Sequence, residues 1–364
     1  MKTDLNLINR EQFYVNEHIL HGETVFLVIP QQMGCQWDSS NKIFRSSLWN
    51  ADGELISASF PKFVNWSEKP EVFPVPTSLK NCTVVEKIDG STLIVSRYQG
   101  QYIIRTRGTI DATQMEKNGY EIELFRSEIL PLIEEFFINE DVSLLFEWTS
   151  PVNRVVLSYG DKPLFYLIGL IHHSDYKLTD QKSLDNIAKD YGLIRPETYT
   201  FTNITDLISN VEQWVGREGV CLYSKGGQEI HKIKGFDYLR LHRMKSELSS
   251  MEKVLDVWVA RNYPSYNEFY EYISTVFDFE LAEQCKGFMS KISDGWKEVQ
   301  KILDHMKSFV EPLKKLPRKD AALKIISSYG GENNNRSGFC FQLLDDKEIG
   351  GDSIKKLMFQ VLKN

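Results

Sequence analysis

Lys87-Ile88-Asp89-Gly90-Ser91 sets a lysine two residues ahead of an Asp-Gly pair, in the form K-x-D-G. A lysine attacks phosphorus only as a neutral amine, so a nucleophilic Lys87 asks for a pKa lowered by neighbouring cations and partial desolvation. It follows the apolar-rich segment Thr83-Val84-Val85-Glu86, and Asp89-Gly90 supplies a tight turn with exposed backbone for a phosphate-bearing ligand to approach. The alternative is a hairpin lysine that is merely solvated. A four-residue pattern of this kind arises by chance in roughly one chain in ten of this size, so its weight rests on its companions.

Those companions follow in order. In Leu144-Leu145-Phe146-Glu147-Trp148, Glu147 is a carboxylate within a very apolar strand, where an unpaired charge is costly. Its partner is either a ligand hydroxyl or a cation such as Arg154. Glu218, before Gly219-Val220, is placed to hold a magnesium ion directly or through water; an ordinary turn glutamate is the alternative. In His231-Lys232-Ile233-Lys234-Gly235 the two lysines share one strand face. Such a pair can clamp a phosphate and depress a neighbouring amine, or it can be a solvated sheet face. Arg45, Lys62 and Arg107, each at a strand end or turn, can reach further phosphates and a ribose.

The elements that must position these groups read as α+β. Strands are predicted at 24–29, 55–60, 83–86, 92–98, 102–106, 142–147, 155–158, 165–170, 220–223 and 229–233, with a hairpin turn at Tyr98-Gln99-Gly100-Gln101. Ile122, Phe125, Ile129, Leu132, Ile133 and Phe136 make one helical stripe, kinked or broken at Pro131. This first domain ends near residue 245. Beyond it the pattern is helical. Leu281, Cys285, Phe288, Ile292, Trp296, Val299, Leu303, Met306, Val310 and Leu313 form one face of a long helix at 280–313, read as half of an antiparallel pair and not as an intermolecular coiled coil. An exposed loop is expected at 330–338 and a last helix at 352–362. Lys314-Lys315 and Arg318-Lys319 are basic spots able to touch a phosphate backbone.

Composition bounds the rest. With 364 residues, 42% hydrophobic and 12% aromatic, the chain supports about two domains with real cores. No stretch approaches the apolar length of a membrane span, and the first residues lack a signal-peptide pattern, so a soluble protein without a membrane partner, working in a cytoplasm (the host's if phage-encoded), is expected. Five scattered cysteines without C-x-x-C spacing suggest neither disulfides nor a zinc site. A net charge of -7 argues against indiscriminate coating of nucleic acid but leaves room for a local basic cleft.

In this order the elements resemble the covalent nucleotidyltransferases, most closely the RNA ligase 1 branch of T-even bacteriophages. Residues 86–91 are similar to its motif I, and Arg105-Thr106-Arg107-Gly108-Thr109 to the basic-Gly-Ser/Thr element after it. Phe146-Glu147-Trp148-Thr149-Ser150-Pro151-Val152-Asn153-Arg154-Val155-Val156-Leu157 resembles motif III, Glu218-Gly219-Val220 motif IV, and Lys232-Ile233-Lys234 motif V. Phe44-Arg45-Ser46 and 59–65 resemble the family's N-terminal segments, with Ser46 where glycine is usual and Val64 where a second phenylalanine is.

The resemblance implies an adenylyltransferase domain of antiparallel sheets with flanking helices over 1–245, then a mainly α-helical domain over 246–364 that selects RNA. It implies an ATP-dependent RNA ligase using Mg2+ or Mn2+. In that reaction Lys87 becomes lysyl-AMP, AMP moves to a 5′-phosphate RNA end, and a 3′-hydroxyl displaces it, with cleaved tRNA as one such substrate. Arg45 and Lys62 would grip the outgoing phosphates, Lys232 and Lys234 the α-phosphate, and Glu147 with Arg107 the ribose. Asp89 and Gly90 would lie against the nucleotide, and Glu218 would position the metal. The competing readings are a DNA ligase or mRNA guanylyltransferase, disfavoured by the helical character after 245, and an idle RNA-binding module, which would not need all four motif residues.

Overall fold

The computed structural model describes residues 1–31, 35–114, 119–277, 279–330 and 336–363. The chain divides into two compact units, Met1–Arg240 and Leu241–Asn364.

The first unit is α+β. Strands β1 (Phe13–Leu20), β2 (Glu23–Pro30), β3 (Ser47–Asn50) and β4 (Leu55–Ala58) form one antiparallel sheet in that order. Next come β5 (Val64–Asn65), β6 (Thr83–Glu86), β7 (Ser91–Tyr98), β8 (Gln101–Arg105), β9 (Val142–Thr149), β10 (Leu164–His172), β11 (Thr198–Tyr199), β12 (Gly219–Ser224) and β13 (Glu229–Lys234). A second sheet runs β10-β9-β7-β8 and a third β11-β6-β12-β13-β5. All pairings are antiparallel except the two-residue contact of β5 with β13. Gln99 and Gly100 take φ of 51° and 78°, the two left-handed positions of the expected β7–β8 hairpin. His21 and Gly22 do the same between β1 and β2. β1 escapes a hydrophobicity reading because its burial does not alternate cleanly: Tyr14, Asn16, Glu17 and Ile19 are all exposed along it.

Helices α1 (Gly119–Leu124) and α2 (Leu130–Asn139) are joined by a π turn, Phe125–Ile129, just before Pro131, which has no N–H for the α ladder. They cover one face of the second sheet with α3 (Gln181–Asp190), whose Leu184 and Ala188 join that core. Helix α4 (Ile204–Glu212) buries Leu207 and Val211 against the third sheet. Neither α3 nor α4 is anticipated above. Their side chains reveal them: Asp180 and Asn203 are N-caps, accepting from the amides of Ser183 and Asp206. The expected strand at 155–158 is absent. That segment is a loop after Pro151, and the amides of Val156 and Leu157 bond a carboxylate instead of a neighbouring strand.

Helix α5 (Phe236–Glu247) carries the boundary. In the second unit α6 (Met251–Ala260), α7 (Tyr266–Tyr272), α8 (Phe279–Val310), α9 (Arg318–Tyr329), α10 (Ser337–Leu344) and α11 (Gly351–Lys363) share one core around Trp258, Phe269, Ile292, Met306, Ile325 and Leu357. The α8 stripe is buried at Cys285, Ile292, Val299, Leu303, Met306 and Val310. The side chain of Leu281 and residues 331–335 of the expected loop lie outside the described residues. α8 packs on α6, α7, α10 and α11, so its face is spent within a bundle and not in a single helix pair. The basic spots are partly neutralised within this unit: Lys314 pairs with Asp346 and Arg318 with Asp345, each at 2.6 Å.

Candidate active site

The inner faces of the three sheets converge on a cavity of about 920 Å³ in the first unit. Arg45, Lys62, Lys87, Gly90, Arg107, Glu147, Glu218, Lys232 and Lys234 all line it, so residues far apart in sequence become neighbours. Strand pairing does this. β12 lies between β6 and β13, with Gly219 opposite Lys234, Cys221 opposite both Lys232 and Val85, and the Lys87 amide donating to the Gly219 carbonyl at 2.8 Å. Gly219 has φ 141°, and a Cβ there would stand 2.1 Å from the Ile233 carbonyl oxygen, so only glycine permits this approach.

Glu218 is 2% exposed and shares its carboxylate between two ammonium groups: Lys87 Nζ at 2.8 Å from one oxygen, Lys234 Nζ at 2.8 Å from the other. For Lys87, burial acts to lower the pKa, but the charges of Glu218 and Glu147 outweigh it and hold the ammonium above the usual lysine value. This corrects the expectation of a depressed nucleophile. The depressed amines of the cavity are Lys232, pulled down to about 8 by burial and then by Lys234, Arg45, Lys87 and Lys62, and Lys62, lowered by burial.

Phe63 is the organising ring for the cations. Arg45 lies 4.8 Å and Lys232 5.2 Å from its centroid, while Lys62 stands 5.5 Å over Trp37 and Lys234 4.9 Å over Tyr238. Burial, then the proximity of Arg107, brings the Arg45 guanidinium down to about 10. The result is a cationic wall suited to a polyphosphate.

Opposite it, buried Glu147 has its carboxyl pushed up to about 7 by desolvation, against the pull of Lys87. It accepts from the Gly90 amide at 3.1 Å and lies 3.4 Å from the Thr92 hydroxyl. These contacts are hydrogen-bond partners of its carboxylate. A Cβ on Gly90 would stand 2.4 Å from the Trp148 carbonyl oxygen, which explains glycine there.

Asp89 departs from its expected role. Its buried carboxylate points away from the cavity, accepting from the amides of Val156 and Leu157 at 2.7 and 2.8 Å and from the Tyr238 hydroxyl at 2.7 Å. Its own amide donates to the Tyr159 hydroxyl at 2.8 Å. Asn153 adds to the same fastening, accepting from Ser91 and donating to the Trp148 carbonyl. Asp89 therefore ties the lysine loop to the 153–159 loop and to α5.

Among the described residues no group of three His, Cys, Asp or Glu gathers to hold a metal alone. Each Glu218 oxygen takes one ammonium and keeps a lone pair, which suits a cation such as Mg2+ that uses few protein carboxylates alongside water and substrate phosphate.

Arg105 and Ser46, fully buried behind the cationic wall, were not assigned roles from sequence. The signal for Arg105 is the one that marks Glu147, a buried charge on the apolar strand Tyr102-Ile103-Ile104-Arg105, while Ser46 carries none. Trp37 carries no pattern that distinguishes it from a core aromatic, whereas Phe63 lies in the 59–65 segment noted above.

An RNA ligase family model matches residues 43–250. A putative bifunctional polynucleotide kinase/RNA ligase of Autographa californica nuclear polyhedrosis virus is 23% identical over 246 residues, 61% of this chain and 34% of the viral protein. The chain thus spans about a third of the length of that relative. An archaeal ATP-dependent RNA ligase superposes with a TM-score of 0.46 at 14% identity, covering 77% of this chain and 76% of the other. A Naegleria gruberi RNA ligase mutant with ATP and Mn gives 0.37 at 15% identity, covering 64% and 81%.

Proposed function

The chain belongs to the RNA ligase family, and we propose on that footing that it seals RNA ends at the expense of ATP through a lysyl-AMP intermediate on Lys87. The observation that carries this reading is the Glu218 carboxylate joining Lys87 to Lys234 inside a cavity walled by Arg45, Lys62, Arg107 and Lys232. A nucleophilic amine, a carboxylate in contact with it and a polyphosphate-sized cationic wall are what nucleotidyl transfer requires.

In the first step the Lys87 Nζ lone pair forms a bond to the α-phosphorus of ATP while the bond to the bridging oxygen breaks. Pyrophosphate leaves with the electron pair, and Glu218 is the group in contact with Nζ that can take its proton. Arg45 and Lys62 hold the departing phosphates; Lys232 and Lys234 offset charge at the α-phosphate. Glu147 and Arg107 hold the ribose, and Gly90 lets the nucleotide approach. AMP then passes to a 5′-phosphate RNA end, releasing the amine, and a 3′-hydroxyl attacks that phosphorus to expel AMP. Glu218 would hold Mg2+ or Mn2+ together with substrate phosphate, and such a bound ion supplies charge neutralisation.

The RNA is chosen, in this reading, by the helical unit, with cleaved tRNA as one candidate, and the work is cytoplasmic. Among the described residues no helix is long and apolar enough to cross a membrane. The test is incubation with α-labelled ATP or GTP and magnesium, then a denaturing gel. Label from ATP that disappears in Lys87→Ala supports the reading. Label surviving in Lys87→Ala removes the nucleophile, and preference for GTP points to capping chemistry.

A further inference from the structure

Behind the cationic wall lies a charge that the chemistry above does not use. Arg105 ends β8, is 0% exposed and is absent from the cavity lining. Among the described residues no carboxylate lies within ion-pair distance of it, although burying an uncompensated cation is expensive. Its five N–H bonds are satisfied in another way. Nε donates to Ser57 Oγ at 2.8 Å, Nη1 to Ser46 Oγ at 2.8 Å and to the Thr106 carbonyl at 3.1 Å, and Nη2 to the carbonyls of Ser46 and Ser57 at 3.2 and 3.1 Å. No neutral side chain supplies five donors in one rigid plane.

The acceptors matter because of their chain neighbours. Ser46 follows Arg45 and donates its own hydroxyl to the Arg107 carbonyl at 2.8 Å. Thr106 precedes Arg107. Arg45 and Arg107 repel one another, so the backbones that carry them must be held against that repulsion. The far end is anchored too: Ser57 Oγ accepts from Ser96, which shares a hydrogen bond with Ser143, and Ser143 with His173, all buried.

We propose that Arg105 is a positioning residue for the anion-binding wall: it locks the Arg45–Ser46 and Thr106–Arg107 backbones together, setting the Arg45 guanidinium where a polyphosphate enters and the Arg107 guanidinium beside it toward the ribose, and never touches the ligand. This rests on the reading of the cavity as the ATP site. It assigns Ser46 as the hydroxyl that passes the constraint to Arg107.

The test uses inorganic pyrophosphate as the probe, with its affinity measured by calorimetry on the full chain. Arg105→Lys keeps the charge but loses the planar fork, and Ser46→Ala removes one hydroxyl with little change in volume. Both should bind pyrophosphate more weakly, Arg105→Lys by roughly tenfold, since displacement of a positioned group by about 1 Å can cost a hundredfold. In an Arg45→Ala/Arg107→Ala background the Arg105→Lys penalty should vanish, because the groups through which it acts are gone. Should Arg105→Lys not fold, Ser46→Ala carries the test. Wild-type affinity in the folded variants, or a penalty that multiplies undiminished in the double-alanine background, overturns the proposal. ATP labelling of the unaltered protein reports separately on the ligase reading. Label with unchanged pyrophosphate affinities sinks the positioning role alone; no label with the expected affinity changes sinks the ligase reading alone.

Discussion

Lys87 and Glu218, distant in sequence, meet at 2.8 Å, and the carboxylate is the one that also takes Lys234. The nucleophile therefore rests as a stabilised ammonium and must lose a proton before it can react. The single-turnover rate of lysyl-AMP formation should climb with pH across the neutral and alkaline range. In Glu218→Gln the loss of the carboxylate charge moves that rise to lower pH, while the maximal rate drops by about a hundredfold as positioning is lost. Superimposable pH profiles for the two proteins would contradict this.

Glu147 yields a stability prediction. Burial raises its folded-state pKa to about 7 from the ordinary 4.5. Between those values the folded protein binds more protons than the unfolded chain, so stability falls as pH rises through this window and levels off above it. The loss amounts to about 3 kcal/mol. Glu147→Gln escapes it, so its melting temperature should match the wild type near pH 4.5 and exceed it above pH 7. A difference that does not change with pH would be the contrary result.

Asp89 should behave as a structural residue. Asp89→Ala strands the Val156 and Leu157 amides and the Tyr238 hydroxyl, costing about 3 kcal/mol or more by urea unfolding. If Asp89→Ala keeps full stability yet loses ATP binding, the carboxylate contacts the nucleotide after all.

Gly90→Ala forces a methyl group against the Trp148 carbonyl. The loop must move, at about 1–3 kcal/mol, and it carries Lys87 with it. Lysyl-AMP formation should fall more steeply than ATP affinity, a difference that rapid-quench kinetics beside equilibrium binding will resolve; equal losses would indicate a ligand contact only.

The basic spot of the helical unit is expected to be inert toward RNA where it is paired. Charge reversal at Lys314 and Arg318 breaks contacts with Asp346 and Asp345. Ligation of a broken hairpin loop should stay near wild type. A marked fall in ligation with normal adenylylation would return these residues to the RNA surface.

Much of the site was legible along the chain because its chemistry needs particular residue types at short range. Lys87 beside Asp89-Gly90, Lys232 and Lys234 on one strand face, and Glu147 in an apolar strand are each local statements about charge, alternation and turn geometry. The β7–β8 hairpin and the α8 stripe are local in the same sense. What the chain alone could not decide is which charges meet. Whether Lys87 meets cations that lower an amine's pKa or the Glu218 carboxylate that raises it, and whether Asp89 faces the cavity or the 153–159 loop, depends on strand pairing between residues far apart. The same holds for Arg105, whose five acceptors come from Ser46 just before β3, Ser57 of β4 and Thr106 just after its own strand. Electrostatic energies vary with separation and burial, and both are properties of the folded arrangement, with no counterpart in the order of residues.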